Sequence, residues 1–236
     1  MRVALVIPAF QAAATLGAVI ARARLASPPA QIIVVDDGSS DRTTEVAARA
    51  GVTVMTHARN RGKGVALQTG IARARADGVA VIVTLDADGQ HPPEEIPRLL
   101  EPISAGQADL VLGARARSGT MPVARRFTNW LSATLASRIG GRPVRDAQTG
   151  FRAFTREVAD AVRSTGERYE YEANFLLDAL RAGYRVVSVE VPTIYGTEEG
   201  AMIHSHFRPW SDTWRMARAF ARHAGRIVAG GAGVRE

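Results

Sequence analysis

The chain contains no cysteine among its 236 residues, so it can form neither a disulfide framework nor a thiolate metal site. Lysine is nearly absent too: Lys63 stands alone, and arginine supplies the rest of the 30 basic residues. No apolar run approaches the roughly 18 residues needed to span a bilayer. The N-terminus enters a strand pattern directly at Arg2-Val3-Ala4-Leu5-Val6-Ile7, without the basic and then apolar regions of a signal peptide. A cytoplasmic protein is therefore expected, free or held peripherally on the cytoplasmic face of the membrane. Aromatic residues make up only 6% of the chain. Although the net charge is +7, the arginines are dispersed (Arg22, Arg24, Arg42, Arg49, Arg73 and Arg75 among them). Scattered arginines with few aromatics argue against a nucleic-acid groove, so no nucleic-acid partner is expected.

What is present reads as a globular α/β protein, 46% hydrophobic and 22% charged, with length for one large domain or two small ones. Short Val- and Ile-rich runs at 3–7, 32–35, 52–55, 79–85 and 109–112 have the character of buried parallel strands. Between them lie helical stretches from Ala14 to Leu25, Asp41 to Ala50, Gly64 to Ala76 and Pro93 to Ser104. Ser40 or Asp41 can cap the second, and Pro93 with Glu94 and Glu95 opens the fourth. This alternation predicts right-handed crossovers and a Rossmann-like, mostly parallel sheet. After Arg115 the pattern changes. A loop at 118–122 precedes a helix near 123–139, a strand at 151–154, helices near 155–163 and 170–182, a strand at 184–191, a long loop at 192–207, and a last helix from about Pro209. The expected organisation is one domain over 1–208, divided by the change of pattern into halves at 1–115 and 116–208, then a C-terminal helix and tail at 209–236.

The most chemically informative segment is Val81-Ile82-Val83-Thr84-Leu85-Asp86-Ala87-Asp88-Gly89-Gln90-His91-Pro92-Pro93. In an extended chain the carboxylates at i and i+2 point to one side, about 6.6 Å apart at the backbone. Such a pair can hold one hard divalent cation that completes its shell with water and phosphate oxygens. The same residues could also form an ordinary turn and helix cap. An EF-hand is excluded, because glycine comes too early in the loop and Pro97 stands where the bidentate Glu belongs. A G-x-G-x-x-G fingerprint is missing after the first strand, where Pro8-Ala9-Phe10-Gln11 stands, and Gly62-Lys63-Gly64 lacks the Walker spacing and its Ser/Thr. After the second strand comes Asp36-Asp37-Gly38-Ser39-Ser40-Asp41. At the carboxyl end of a strand, an acid can accept hydrogen bonds from a base or a ribose. Asp41 suits a cap, whereas two adjacent acids exceed what a cap needs.

Six segments in this order, Ile7-Pro8-Ala9-Phe10, Val35 to Asp41, Asn60-Arg61-Gly62-Lys63-Gly64, Asp86 to Pro92, Gly113-Ala114-Arg115 and Arg145 to Arg152, resemble the motifs of family 2 glycosyltransferases. The resemblance is strongest to the dolichol-phosphate (polyprenyl-phosphate) mannose or glucose synthases and covers roughly residues 3–210. It implies a GT-A fold, a nucleotide diphosphate sugar donor such as GDP-mannose or UDP-glucose, and Mg²⁺ or Mn²⁺. It also implies that Pro8, Phe10, Val35 and Asp37 hold the nucleotide. Asp86, Ala87, Asp88 and Gln90 would hold the diphosphate, with Asp86, Asp88 and Gln90 on the metal. Asp88 and Arg115 would be catalytic, Arg115 reaching a phosphate near the reaction centre.

The acceptor follows from protonation. A sugar hydroxyl needs a general base, for which Asp146 is a candidate, although the nearby Gly150 suits a turn instead. A phosphate monoester is largely dianionic at neutral pH and needs cationic guides, for which Arg115, Arg125 and Arg126 are candidates. The expected reaction is inverting transfer of a hexose to polyprenyl or dolichyl phosphate; the alternative is a family 2 enzyme acting on a hydroxyl. Two features depart from the resemblance. Gln11-Ala12 replaces an expected Asn-Glu, and His206 follows Ser205 where related synthases place a lysine, so His206 is a donor-contact candidate. In the last helix, Trp210, Trp214, Ala217 and Ala221 form one stripe, and Arg215, Arg218, Arg222 and Arg226 another. That pattern fits either an interfacial helix or one packed on the core.

Overall fold

The computed structural model describes residues 1–26, 30–115, 132–138, 141, 143–162, 164–192, 194 and 218. Seven strands, β1 (Val3–Ala9), β2 (Gln31–Asp36), β3 (Thr53–Thr56), β4 (Val81–Thr84), β5 (Leu110–Arg115), β6 (Arg152–Thr155) and β7 (Val186–Val191), make one sheet in the order β3-β2-β1-β4-β6-β5-β7. β6 is antiparallel to both its neighbours, and the other pairs are parallel. The mostly parallel sheet expected from the alternating pattern is therefore what forms. Helices α1 (Leu16–Ala26), α2 (Thr43–Arg49), α3 (Lys63–Ala76), α4 (Ile96–Ser104, after a 3-10 turn at Pro93–Glu95), α5 (Arg156–Ala161) and α6 (Glu170–Arg181) accompany it. Residues 132–138 are also helical, within the helix expected near 123–139.

Side chains alternate across each strand, and this splits the core in two. Ala4, Val6, Ile33, Val35, Ile82, Leu110 and Phe154 pack with Leu67 and Ile71 of α3 and with Phe175 and Leu176 of α6. Leu5, Ile7, Ile32, Val34, Val81, Val83 and Val111 pack with Leu16 and Ile20 of α1, Ala47 of α2 and Leu99 of α4. Both faces are covered, which is why the strands read as continuous apolar runs and not as alternating ones.

Two local expectations need correction. The second helix begins at Thr43, with Arg42 in the cap position. Asp41 does the capping from one residue earlier, its Oδ1 accepting from the Thr43 amide at 3.0 Å, and its Oδ2 also accepts from the Ala13 amide at 3.1 Å. Strand β4 stops at Thr84, and Ala87 and Asp88 lie in a turn. The two carboxylates after it are thus brought together by a turn and not by an extended strand.

β6 fixes the site's position. It enters between β4 and β5, pairing Thr84 with Arg152 and Leu112 with Arg152 from opposite sides. The segment leading into β6, residues 146–151, is carried past the ends of both neighbours as a result. Thr84 Oγ1 donates to the Gly150 carbonyl at 2.7 Å.

Candidate active site

The site lies beyond the carboxyl ends of β1, β2, β4 and β5, where open α/β sheets bind ligands. Asp86 and Asp88 follow β4. Lys63 opens α3, and its Nζ is 2.7 Å from Asp86 Oδ1 and 3.0 Å from Glu172 Oε1. Burial opposes ionisation of Asp86, but the Lys63 ammonium outweighs it and holds the carboxyl below its ordinary range. Burial also opposes the charge on Lys63, yet Asp86 and Glu172 together hold that ammonium above the usual lysine range. Glu172, only 4% exposed, is pushed up by burial against the pull of Lys63. Among the described residues no ion pair holds Asp88, and Lys63 only partly offsets what raises it. Burial and then repulsion from Asp86 push it up to about 6, and its Oδ1 accepts from the Gln90 amide at 3.0 Å.

Gly150 presses against this cluster. A Cβ there would lie 2.7 and 2.8 Å from the Asp86 oxygens and 2.8 Å from Lys63 Nζ. Gly62, just before the lysine, has φ +96°, and a Cβ on it would fall 2.2 Å from the Glu167 carbonyl oxygen. That close approach lets α3 start against the segment before α6, where the Gly64 amide donates to the Glu167 carbonyl at 2.9 Å. The Lys63 ammonium also lies 5.5 Å from the centre of the Tyr169 ring, within cation–π range.

The second charged pair closes the other side. Arg115, the last residue of β5, donates from Nε to Asp146 Oδ2 at 2.7 Å and from Nη2 to Oδ1 at 3.2 Å. Asp146 is 1% exposed and also accepts from the Gln148 amide at 3.0 Å. Burial resists its charge, and Arg115 overcomes that to hold the carboxyl below its usual range. Between the two pairs sits His91, 6% exposed and stacked at 5.6 Å from Phe151. Burial lowers it to about 4, so its ring is neutral. Arg152, 2% exposed, donates to the carbonyls of Thr149, Glu172 and Ala147 at 2.8, 2.6 and 3.1 Å, joining the 146–150 turn to α6.

The residues expected to meet a nucleotide divide. Phe10 is half-buried at the end of β1. Val35 is wholly buried at 0% exposure, because the alternation of β2 turns it toward α3. Its side chain belongs to the core, and Pro8 is buried within β1, so the side chains of both are withdrawn from the surface of the site. Asp37 is 2% exposed and commits both oxygens to the loop between β3 and α3: Oδ1 accepts from the Arg61 amide at 2.9 Å and lies 2.6 Å from His57 Nδ1, and Oδ2 accepts from the Gly62 amide at 2.7 Å. It shapes the loop leading to Lys63. Gln11, at φ +52°, donates its amide to Ser39 Oγ at 2.9 Å and its side-chain Nε2 to Ser40 Oγ at 2.8 Å, tying the β1 and β2 loops together. Ala87 is buried, and its carbonyl accepts from Thr15 Oγ1 at 2.7 Å. The Gln90 carbonyl accepts from the Ile194 amide at 2.9 Å, so the start of the 192–207 loop rests on the carboxylate loop. Arg125, Arg126 and His206 lie outside the described residues, as does the helix expected from about Pro209, apart from Arg218.

Sequence reasoning gave no role to Lys63, Glu172, Arg152, His57 or His91. The one lysine in an arginine-rich chain, set between two glycines, was a usable signal for Lys63. Nothing local marks Glu172.

Among the described residues no three His, Cys, Asp or Glu side chains converge as a metal cage. The pair of neighbouring carboxylates, Asp86 and Asp88, nevertheless fits a cation that takes most of its shell from water and substrate phosphate. Burial, and then the neighbouring Asp86, raise Asp88; a cation between the two carboxylates would relieve the second of these.

Residues 4–163 match the model for glycosyl transferase family 2. The chain belongs to that family, its fold is GT-A, and it is a glycosyltransferase. It is 32% identical over 205 residues to the undecaprenyl-phosphate mannosyltransferase of Micrococcus luteus, covering 81% of this chain and 83% of that one. It is 33% identical over 205 residues to the polyprenol monophosphomannose synthase of Mycolicibacterium smegmatis, covering 80% and 76%. Its fold is similar to glucosyl-3-phosphoglycerate synthase of Mycobacterium tuberculosis, with a TM-score of 0.73 at 22% identity over 95% of this chain and 80% of that one. Crystals of that synthase hold Mn²⁺ and uridine diphosphate. No helix among the described residues is long and apolar enough to cross a membrane.

Proposed function

We propose that this chain transfers a hexose, mannose or glucose, from a nucleotide diphosphate sugar to polyprenyl or dolichyl phosphate, with inversion at the anomeric carbon. The observation that carries the acceptor is the Arg115–Asp146 pair. The carboxylate that could have served as a base for a hydroxyl is buried and locked in a two-pronged hydrogen bond, its proton affinity lowered. A phosphate acceptor needs no base. The names of the relatives, which act on undecaprenyl phosphate or make polyprenol monophosphomannose, support the same reading.

In the reaction an oxygen of the lipid phosphate attacks the anomeric carbon. The bond from that carbon to the donor's diphosphate breaks, and the nucleoside diphosphate leaves with the bonding electron pair. Mg²⁺ or Mn²⁺, held by Asp86, Asp88 and Gln90, would neutralise charge on the leaving diphosphate. Arg115 presents fixed positive charge at the end of β5 toward the incoming phosphate, with Arg125 and Arg126 as further guides and His206 as a donor contact. Phe10 and the loop fixed by Asp37 form the nucleotide wall, and Pro8 and Val35 support it from behind. Residues 1–115 serve the donor and 116–208 the acceptor, while 209–236 contacts the membrane from the cytoplasmic side. The 192–207 segment, whose Ile194 amide reaches the Gln90 carbonyl, would order over the bound donor.

The test is incubation of the purified chain with labelled GDP-mannose or UDP-glucose, Mn²⁺ or Mg²⁺, and a short-chain polyprenyl phosphate. The expected result is a metal-dependent, lipid-extractable hexosyl phosphate. Transfer only to saccharide hydroxyls would refute the acceptor assignment.

A further inference from the structure

We infer that Glu172 is a positioning residue for Asp86, acting through Lys63 to set how tightly the site binds its divalent cation. The inference rests on the reading of Asp86 and Asp88 as metal ligands. An ammonium and a metal ion compete for the same carboxylate. Lys63 takes Asp86 Oδ1 at 2.7 Å, and Glu172 Oε1 draws the same ammonium away at 3.0 Å. A lysine shared between two acids holds each less strongly than a lysine with one. With all four groups ionised, Asp86, Asp88, Glu172 and Lys63 carry two net negative charges, the complement of one divalent cation.

The arrangement has little slack. Gly150 leaves no room for even one added carbon beside the Lys63–Asp86 contact. Arg152 fixes the backbone of Glu172 through a 2.6 Å hydrogen bond to its carbonyl. A carboxylate buried to 4% exposure in the first turn of α6 is costly unless paired, and Glu172 pairs with the lysine that also holds Asp86. Metal affinity is thereby coupled to the placement of α6.

The experiment measures Mn²⁺ binding to the intact chain by the loss of the free Mn²⁺ electron spin resonance signal, with thermal melts in EDTA and in Mn²⁺ alongside. Glu172→Gln gives Lys63 wholly to Asp86 and removes one negative charge, so Mn²⁺ affinity falls roughly 10–100-fold, the scale for residues that orient a ligand. Lys63→Met removes the competitor, so Mn²⁺ binds more tightly than in the wild type and produces the largest rise in melting temperature. The Lys63→Met/Glu172→Gln double variant returns to at least wild-type affinity. Unchanged affinity in Glu172→Gln, or a double variant no better than Glu172→Gln alone, overturns the inference. Should Glu172→Gln not fold, Lys63→Met decides it: weaker Mn²⁺ binding than wild type overturns it. Asp88→Ala separates the underlying reading, because Mn²⁺ binding that survives in that variant removes the metal site itself.

Discussion

The Thr84 hydroxyl hydrogen-bonds the Gly150 carbonyl at 2.7 Å, and through that contact the end of β4 and the turn before β6 become one surface. Asp86 lies two residues beyond Thr84, and Gly150 lies against it. The carboxylate site is therefore assembled by strand insertion as much as by its own motif.

Gly150→Ala should damage chemistry more than folding. Gly150 does not use the left-handed region, so alanine suits its backbone, but the new Cβ would overlap the Asp86 oxygens and Lys63 Nζ at 2.7–2.8 Å. A reacting geometry misplaced by an ångström costs about 100-fold in rate. The expected outcome is a kcat/KM loss of that order with a change in unfolding free energy under about 1 kcal/mol, read by steady-state transfer and urea denaturation.

Gly62→Ala should do the opposite. Its φ of +96° is strained for alanine, and the Cβ would meet backbone, the Glu167 carbonyl at 2.2 Å, instead of a movable side-chain tip. A loss of about 2 kcal/mol or more of stability is expected, seen as a lower urea midpoint before any kinetic comparison.

Asp88→Ala should lower kcat/KM by about 10²–10³-fold, the usual loss when one element of transition-state charge stabilisation is removed. The fold should be intact, because Asp88 is a half-buried turn residue whose side chain accepts one hydrogen bond from the Gln90 amide and whose removal relieves repulsion with Asp86. Full metal-dependent transfer by this variant would contradict the role given to Asp88.

Asp146→Asn removes the buried carboxylate that pairs with the half-buried Arg115 guanidinium. Breaking such a pair costs about 3 kcal/mol at neutral pH. The pH dependence has a definite sign. Because Arg115 holds the folded-state carboxyl below its unfolded value near 3.9, the pair's contribution is complete above that value. It is lost as pH falls from there through the folded value. The stability gap between wild type and Asp146→Asn should thus be constant from pH 7 to 5 and narrow below about pH 4, measured by urea titration at each pH. A gap that narrows already between pH 7 and 6 would contradict the assignment.

Much of this was legible in the chain. β1, β2 and β4 are short apolar runs that end in Phe10, Asp36-Asp37 and Asp86-Asp88, and local pattern suffices to place such ends at one edge of a sheet. Asp86 and Asp88 were identifiable for that reason, although a turn and not an extended strand brings them together. Val35 shows the limit of motif reading: its place in a motif says nothing of the strand alternation that buries it. Asp37 was recognisable as an acid beyond what a helix cap needs, but not as a carboxylate taken up by the amides of Arg61 and Gly62.

The sequence by itself determined the family, the parallel sheet and the pair of acids after β4, because each depends on contacts within a few residues or on ordered motifs. Only the tertiary structure decided that β6 runs antiparallel between β4 and β5, that Glu172 shares Lys63 with Asp86, and that Asp146 is locked to Arg115. These are pairings between residues far apart in the chain. Their energies come from burial and Coulomb contact that exist only once the sheet has closed around them.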